Sequence, residues 1–128
     1  MVKCFGLTKD PYGNYMLVVN RMDSDLRTYL QQYHNRLTWK NKINFMFYII
    51  WALFRIHFEN AIHRDLHSGN ILYLNLDRRF YISDFGFCGP ADKPLNCVYG
   101  NLPYIAPEVL IDEKYTFKFD IYSIGMLM

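Results

Sequence analysis

The sequence predicts an α+β fold, in which a hairpin of two strands precedes a mainly helical part. Strand-like segments at residues 2–7 and 15–19 are joined by a stretch rich in Pro, Gly, Asn and Asp, which favours chain reversal. Residues 45–54 form an unbroken apolar run with the length expected of a helix. Two shorter strand-like segments, at 71–74 and 80–83, follow it.

Two helices are predicted in the first half of the chain. Polar residues 23–25 can cap a short helix that ends near His34, and its apolar positions recur at helical spacing. Thr38 can cap a longer helix that runs from residue 39 to about residue 57. Because residues 45–54 are apolar on every side of that helix, it is expected to need cover all round, in the centre of a lobe.

The second half is predicted to begin with strands and to end with a helix. The basic turn 77–79 joins the segments 71–74 and 80–83. Residues 92–102 contain Pro, Asn and Gly and are predicted to form a loop. A final amphipathic helix is predicted to start at Asp120 and to run to the end of the chain.

Composition and charge narrow the class of protein. The chain has 128 residues, 52% of them hydrophobic and 18% aromatic, which is enough for one domain with its own core. The net charge of +2 is too small and scattered to indicate nucleic acid or a membrane surface as a partner, and the N-terminus has no leader pattern. Three cysteines without C-x-x-C spacing predict free thiols in an intracellular, cytoplasmic protein.

Three motifs occur in a fixed order: His-Arg-Asp-Leu-His-Ser-Gly-Asn at 63–70, Asp-Phe-Gly at 84–86 and Ala-Pro-Glu at 106–108. In this order they resemble the catalytic loop, the metal-binding turn and the end of the activation segment of eukaryotic protein kinases, on the tyrosine-kinase-like and Ser/Thr-leaning branch. The resemblance implies a partial protein-kinase-like fold. Residues 1–22 would be two N-lobe strands and the hinge, and residues 23–128 an incomplete, mainly helical C-lobe.

The resemblance also implies which residues carry the chemistry. Phosphoryl transfer depends on positioning the acceptor hydroxyl and on neutralising phosphate charge with a metal ion. Asp65 stands where the family has its catalytic base, and Asn70 and Asp84 stand where it binds Mg²⁺. The implied cofactors are ATP and Mg²⁺, and the implied partner is a protein substrate with a Ser or Thr hydroxyl in preference to Tyr.

Other residues have roles in nucleotide binding by the same resemblance. Val18 or Val19 would be the gatekeeper beside the adenine, and the hinge at residues 20–22 would include Met22. Leu72, two places after the catalytic loop, would form the floor of the adenine pocket. We therefore expect Val19, Met22 and Leu72 to contact the nucleotide.

Supporting residues of the catalytic loop are also implied. His63 and Phe85 would stack on each other in the internal spine of the lobe. Asp120 would hold the catalytic loop through backbone hydrogen bonds, although an ordinary helix cap needs the same side chain.

Regulation by phosphorylation is a further expectation. Arg64, just before the predicted base, could bind a phosphate bidentately. Because no Ser or Thr occurs between residues 87 and 108, the hydroxyls available there are Tyr99 and Tyr104. Tyr99 is the predicted regulatory site, and an unregulated segment is the alternative.

Several parts of the family pattern are absent from the sequence. No G-x-G-x-x-G motif occurs, and no strand lysine can be paired with a helix glutamate ahead of the hairpin. His67 and Asn101 stand where Ser/Thr kinases have a lysine and a threonine, and a protonated His67 could replace the lysine. We therefore expect a chain that is truncated at both ends, exposes a large apolar face and has negligible activity alone. A non-catalytic interaction module and an incomplete gene product are the alternatives.

Overall fold

The computed structural model describes residues 1–91, 100–112 and 114–128. Seven strands and four α-helices lie in those ranges, which confirms the predicted α+β class. In chain order they are β1 (Cys4–Lys9), β2 (Tyr15–Val19), β3 (Ser24–Asp25), α1 (Leu26–Tyr33), α2 (Trp39–Phe58), β4 (Ala61–Ile62), β5 (Ile71–Leu74), β6 (Arg79–Ile82), β7 (Gly89–Pro90), α3 (Pro107–Asp112) and α4 (Phe117–Gly125). Single 3-10 turns occur at His34–Arg36 and Leu102–Tyr104.

Strands β1 and β2 form an antiparallel hairpin with a sheet of its own. The carboxylate of Asp10 closes the turn by accepting the backbone N–H groups of Tyr12 and Asn14, each at 2.8 Å. Strand β1 lies two residues later than the predicted 2–7, because the N–H of Val2 donates to the carbonyl of Ile82, at 3.1 Å, and not to β2. Every residue of both strands is exposed.

Helix α2 packs on a three-stranded sheet with the order β3-β5-β6. One side of the helix, including Ile49, Leu53 and Ile56, is buried against the sheet, whose inward residues include Ile71 and Phe80. This contact forms the main core of the described part of the chain. It also fixes the end of β6, from which the second motif starts.

The opposite side of α2 is apolar and exposed. The exposed fractions are 77% for Trp39, 64% for Ile43, 62% for Phe47, 50% for Ile50, 56% for Trp51, 54% for Phe54 and 76% for Phe58. The expectation of cover on every side is therefore wrong, because a single sheet covers only one face, whereas the expected exposed apolar face is present. In residues 1–91, 100–112 and 114–128, no helix combines the length and apolarity needed to cross a bilayer.

The last helices differ from the sequence prediction. Helix α4 begins at Phe117, three residues before the predicted start at Asp120, because the Asp120 carboxylate bonds to a distant loop and does not cap this helix. Helix α3 was not predicted, and it begins with a proline, which suits the first helical position. Of the predicted loop at 92–102, residues 92–99 lie outside the described ranges.

Replacement of Thr38 by alanine is expected to lower the free energy of unfolding by about 1 kcal/mol. The Thr38 hydroxyl accepts the N–H of Asn41 at 3.2 Å, and the Asn41 side chain accepts the N–H of Thr38 at 3.0 Å, so the substitution removes a capping box. Urea denaturation measures the loss. Thr116→Ala is the matched control, because Thr116 precedes α4 without a side-chain capping bond. Equal losses for the two variants would contradict the expectation.

Candidate active site

The loop at 63–70 is fastened to the fold by the carboxylate of Asp120. That carboxylate accepts the backbone N–H of His63 at 2.8 Å and of Arg64 at 3.0 Å, and it lies 2.8 Å from Nε2 of His57. Asp120 is fully buried. A buried carboxylate that receives three donors fixes the backbone just before Asp65.

Asp65 and Asn70 contact each other across the loop. The Nδ2 group of Asn70 donates to the backbone carbonyl of Asp65 at 2.9 Å and to its Oδ2 at 3.1 Å. Asn70 is buried, and Asp65 keeps 12% of its side chain exposed. The amide bond orients the carboxylate, while the remaining exposure leaves it accessible to a substrate hydroxyl.

Asp84 is brought to the same region by the end of β6. The N–H and the hydroxyl of Ser83 both donate to the carbonyl of Asn70, at 2.9 and 3.0 Å. The next residue, Asp84, is exposed and has a φ of +57°. Its Oδ1 accepts the N–H of Gly86 at 3.2 Å, which holds the turn of the second motif.

His63 lies at the centre of this arrangement. Its Nε2 is 2.9 Å from the carbonyl of Ser83, and its ring packs edge-on against Phe85 with centroids 5.3 Å apart. Burial lowers the pKa of His63, and the hydrogen bond from Ser83 and the nearby carboxylates oppose that shift. The carboxylates are those of Asp120, Asp65 and Asp84. Three acidic side chains therefore surround one buried imidazole.

Asn70 and Asp84 have the donor atoms that Mg²⁺ prefers. Because Nδ2 of Asn70 is bonded to Asp65, its Oδ1 is the atom able to face a cation, and Asp84 has Oδ2 for the same purpose. In the described residues, no three His, Cys, Asp or Glu side chains form a group that could hold a metal. Two protein ligands suit Mg²⁺ that completes its shell with nucleotide phosphates and water.

Comparison with known proteins decides the family. The protein kinase domain matches residues 1–128, which is the whole chain. This chain belongs to the protein kinase family. The sequence resemblance drawn from the three motifs is thereby confirmed.

Three relatives of the kinase chain show its range. It is 33% identical over 135 residues to MDIS1-interacting receptor like kinase 2 of Arabidopsis thaliana, covering 99% of this chain and 13% of that protein. It is 35% identical over 123 residues to mitogen-activated protein kinase 12 of Rattus norvegicus, covering 94% and 32%. It is 28% identical over 131 residues to a probable serine/threonine-protein kinase of Dictyostelium discoideum, covering 100% and 14%. The chain thus spans at most about a third of these relatives.

A solved structure has the same fold as the kinase chain. The kinase PK-1 of Cydia pomonella granulovirus superposes with a TM-score of 0.82 at 24% identity, over 97% of this chain and 46% of that one. The match confirms a partial protein-kinase-like fold.

His67 contacts the predicted base of the kinase. Its Nε2 lies 3.7 Å from Oδ2 of Asp65, and its Nδ1 accepts the N–H of Gly69 at 3.1 Å. A ring that accepts at Nδ1 is neutral and has its proton on Nε2. The geometry thus favours a neutral donor where the sequence interpretation used a protonated ring, and the replacement of the family lysine stays a prediction.

The residues predicted to contact the nucleotide lie on two sheets. Val19 ends β2 in the exposed hairpin, and its side chain is 47% exposed. Half-buried Met22 precedes β3, and half-buried Leu72 lies on β5, where it pairs with Asp25 of β3. Sheet pairing thus brings the Met22 segment beside the strand of Leu72, while Val19 belongs to the other sheet. Their contact with adenine stays a prediction.

The regulatory prediction concerns Arg64 and Tyr99. The Nη2 group of Arg64 donates to the carbonyl of Pro90 at 2.8 Å, and its guanidinium lies over the ring of Tyr115, 5.6 Å from the centroid. Tyr99 lies outside the described residues. The pairing of Arg64 with a phosphorylated Tyr99 stays a prediction.

Sequence reasoning missed two supports of the site. His57, at the end of α2, contacts Asp120 from 63 positions away, a separation at which no local pattern can report a contact. Ser123 donates to the carbonyl of Tyr104 at 2.7 Å, and the Tyr104 hydroxyl lies 3.4 Å from Oγ of Ser68. The helical spacing of Asp120 and Ser123 was the available indication that α4 faces the loop with polar groups.

Proposed function

We propose that this kinase domain transfers the γ-phosphoryl group of ATP, with Mg²⁺, to a Ser or Thr hydroxyl of a protein substrate in signalling. The observation that carries the proposal is the hydrogen-bond chain through Asn70, whose side chain holds the Asp65 carboxylate and whose carbonyl holds Ser83. Asp84 follows directly. A base and two oxygen ligands thus come from one connected piece of backbone.

In the proposed reaction, Asp65 accepts the proton of the substrate hydroxyl through its carboxylate. The hydroxyl oxygen forms a bond to the γ-phosphorus as the bond from that phosphorus to the bridging oxygen breaks, and ADP leaves. Mg²⁺, when bound, would neutralise phosphate charge. Asn70 holds the Asp65 carboxylate in one orientation, so little rearrangement is needed when the hydroxyl arrives.

The preference for Ser or Thr is supported by the relatives, one of which is a probable serine/threonine-protein kinase and another a mitogen-activated protein kinase. Residues 1–22 are proposed to belong to the N-lobe and its hinge, and residues 23–128 to the C-lobe, since the hairpin has its own sheet. The thiols of Cys4 and Cys88 are free, as in a reducing compartment, so the proposed location is the cytoplasm.

Asp84→Asn is expected to remove the Mg²⁺ dependence of ATP binding by this chain and to weaken binding at least about tenfold. The substitution removes the charge of a metal ligand and keeps the shape of the side chain. Calorimetric titration of ATP, with Mg²⁺ and with EDTA, measures both effects. Asp77→Asn is the matched control, because Asp77 is exposed in the β5–β6 turn. Mg²⁺-dependent binding that survives Asp84→Asn would refute the assignment.

A non-catalytic interaction module is the second candidate, and the exposed apolar side of α2 favours it. The same titration separates the two functions. A chain that binds no ATP at any Mg²⁺ concentration would support the interaction module over the enzyme.

A further inference from the structure

A cavity of about 310 Å³ lies between α2 and β6, at the end of β6 away from Asp84. We name it the α2–β6 cavity, and its lining includes Tyr48, Trp51, Arg55, Arg79 and Tyr81. We propose that the α2–β6 cavity binds an acidic segment of a partner protein, with an apolar residue between its carboxylates. This site goes beyond the proposed phosphoryl transfer and uses none of its residues.

Positive charge gathers around the cavity without internal compensation. Arg55 on α2 and Arg79 on β6 are both exposed, and neither lies within ion-pair distance of a carboxylate in the described ranges. The acidic residue of the adjoining turn, Asp77, accepts the hydroxyl of Tyr81. Burial lowers the pKa of the α-amino group of Met1, and the charge of Arg55 lowers it further. Anions are therefore the ligands that this surface attracts.

The walls of the cavity are aromatic and their orientation is set by the fold. The guanidinium of Arg79 lies over the ring of Tyr48, 4.8 Å from the centroid, which holds it at the rim. Trp51 is 56% exposed, and Phe80 beneath it is buried. An apolar side chain can occupy this space, because a volume of roughly 300 Å³ is the lower limit of small-ligand pockets.

Two arginines on different elements, with aromatic rings in the same cavity, suit a peptide better than a compact anion. Each guanidinium can take a carboxylate bidentately, and an extended chain can present two carboxylates with an apolar residue between them. The four residues of β6 separate Arg79 from Asp84, a length of roughly 13 Å. A docked peptide and a nucleotide can therefore be bound together.

The test uses the 128-residue chain with Trp39→Phe, which leaves Trp51 as its single tryptophan. The probe is the blocked peptide Glu-Asp-Leu-Glu-Asp, and its amide analogue Gln-Asn-Leu-Gln-Asn is the peptide control. We expect saturable change of Trp51 fluorescence with the acidic peptide only. The double variant Arg55→Gln, Arg79→Gln should weaken binding at least tenfold, since both ion pairs are lost.

The matched control is Arg27→Gln, Arg36→Gln, which removes the same charge from exposed arginines near α1. This control should bind the acidic peptide as the parent does, and circular dichroism confirms that each variant folds. Equal weakening in both double variants, no saturation, or tighter binding of phosphatidylserine vesicles or inorganic phosphate than of the peptide would overturn the proposal. Asp84→Asn should leave peptide binding unchanged, so a failed phosphoryl-transfer assignment is distinguishable from a failed docking site.

Discussion

Asp120→Asn is expected to lower the free energy of unfolding by about 3 kcal/mol, the largest stability effect of any isosteric change in the described site. The carboxylate accepts from two backbone N–H groups and contacts His57, all without exposure to water. An amide has a single acceptor oxygen, so its NH₂ group would face a backbone donor. Urea denaturation of the chain measures the loss.

The matched change on the surface is Glu59→Gln, which also converts a carboxylate to an amide, at an exposed position after α2. It should alter the free energy of unfolding by less than about 0.5 kcal/mol. If Asp120→Asn proves too unstable for denaturation, amide exchange at His63 and Arg64 in a folded fraction supplies the second measurement. Unchanged protection of those two amides would contradict the role given to Asp120.

Asp65→Asn is expected to lower kcat by about 10²–10⁴ in any preparation of this sequence that is active in phosphoryl transfer. The amide cannot accept the proton of the substrate hydroxyl, although it preserves the contact with Asn70 in size and shape. The KM for ATP should stay within about twofold, since the substitution removes an interaction made in the transition state. Transfer of labelled phosphate to Ser, Thr and Tyr peptides measures the rate and the acceptor preference together.

Asp77→Asn again provides the comparison and should keep the parent kcat. Nucleotide binding by Asp65→Asn should resemble the parent, in contrast to Asp84→Asn. A similar fall in kcat for Asp65→Asn and Asp77→Asn would indicate a general loss of folding and not the loss of a base.

Local patterns predicted those elements whose causes are local. The hairpin turn depends on the Asp10 side chain, which bonds to residues two and four places away, and α2 begins at the capping box of Thr38. Both causes can be read within a few residues. The strand pair β5–β6 likewise followed from two apolar segments and the turn between them.

Long-range contacts account for what the sequence could not show. The position of β1 depends on a bond from Val2 to Ile82, and the start of α4 differs because Asp120 bonds to a loop 57 positions earlier. The exposure of one side of α2 is also a property of the packing, since apolarity in sequence does not say which faces find a partner.

The candidate site was predicted in its residue types, because spacing within motifs preserves the chemistry. Asp65 and Asn70 are five positions apart and do contact each other. The contact of Ser83 with the Asn70 carbonyl joins two motifs 13 positions apart and came from the structure alone. The neutral orientation of His67 was hidden for the same reason, since it depends on the backbone N–H of Gly69.

The backbone at Arg64 and Asp84 has positive φ angles of +71° and +57°, a region that costs a residue with a side chain about 1–2 kcal/mol. These residues stay there because neighbouring bonds restrain them. Should those bonds open, both would relax to ordinary conformations, so the reaction centre ought to melt locally before the α2–sheet core does. A nucleotide that bridges the two segments would then act as a clamp, and its binding would raise the temperature at which this region loses order.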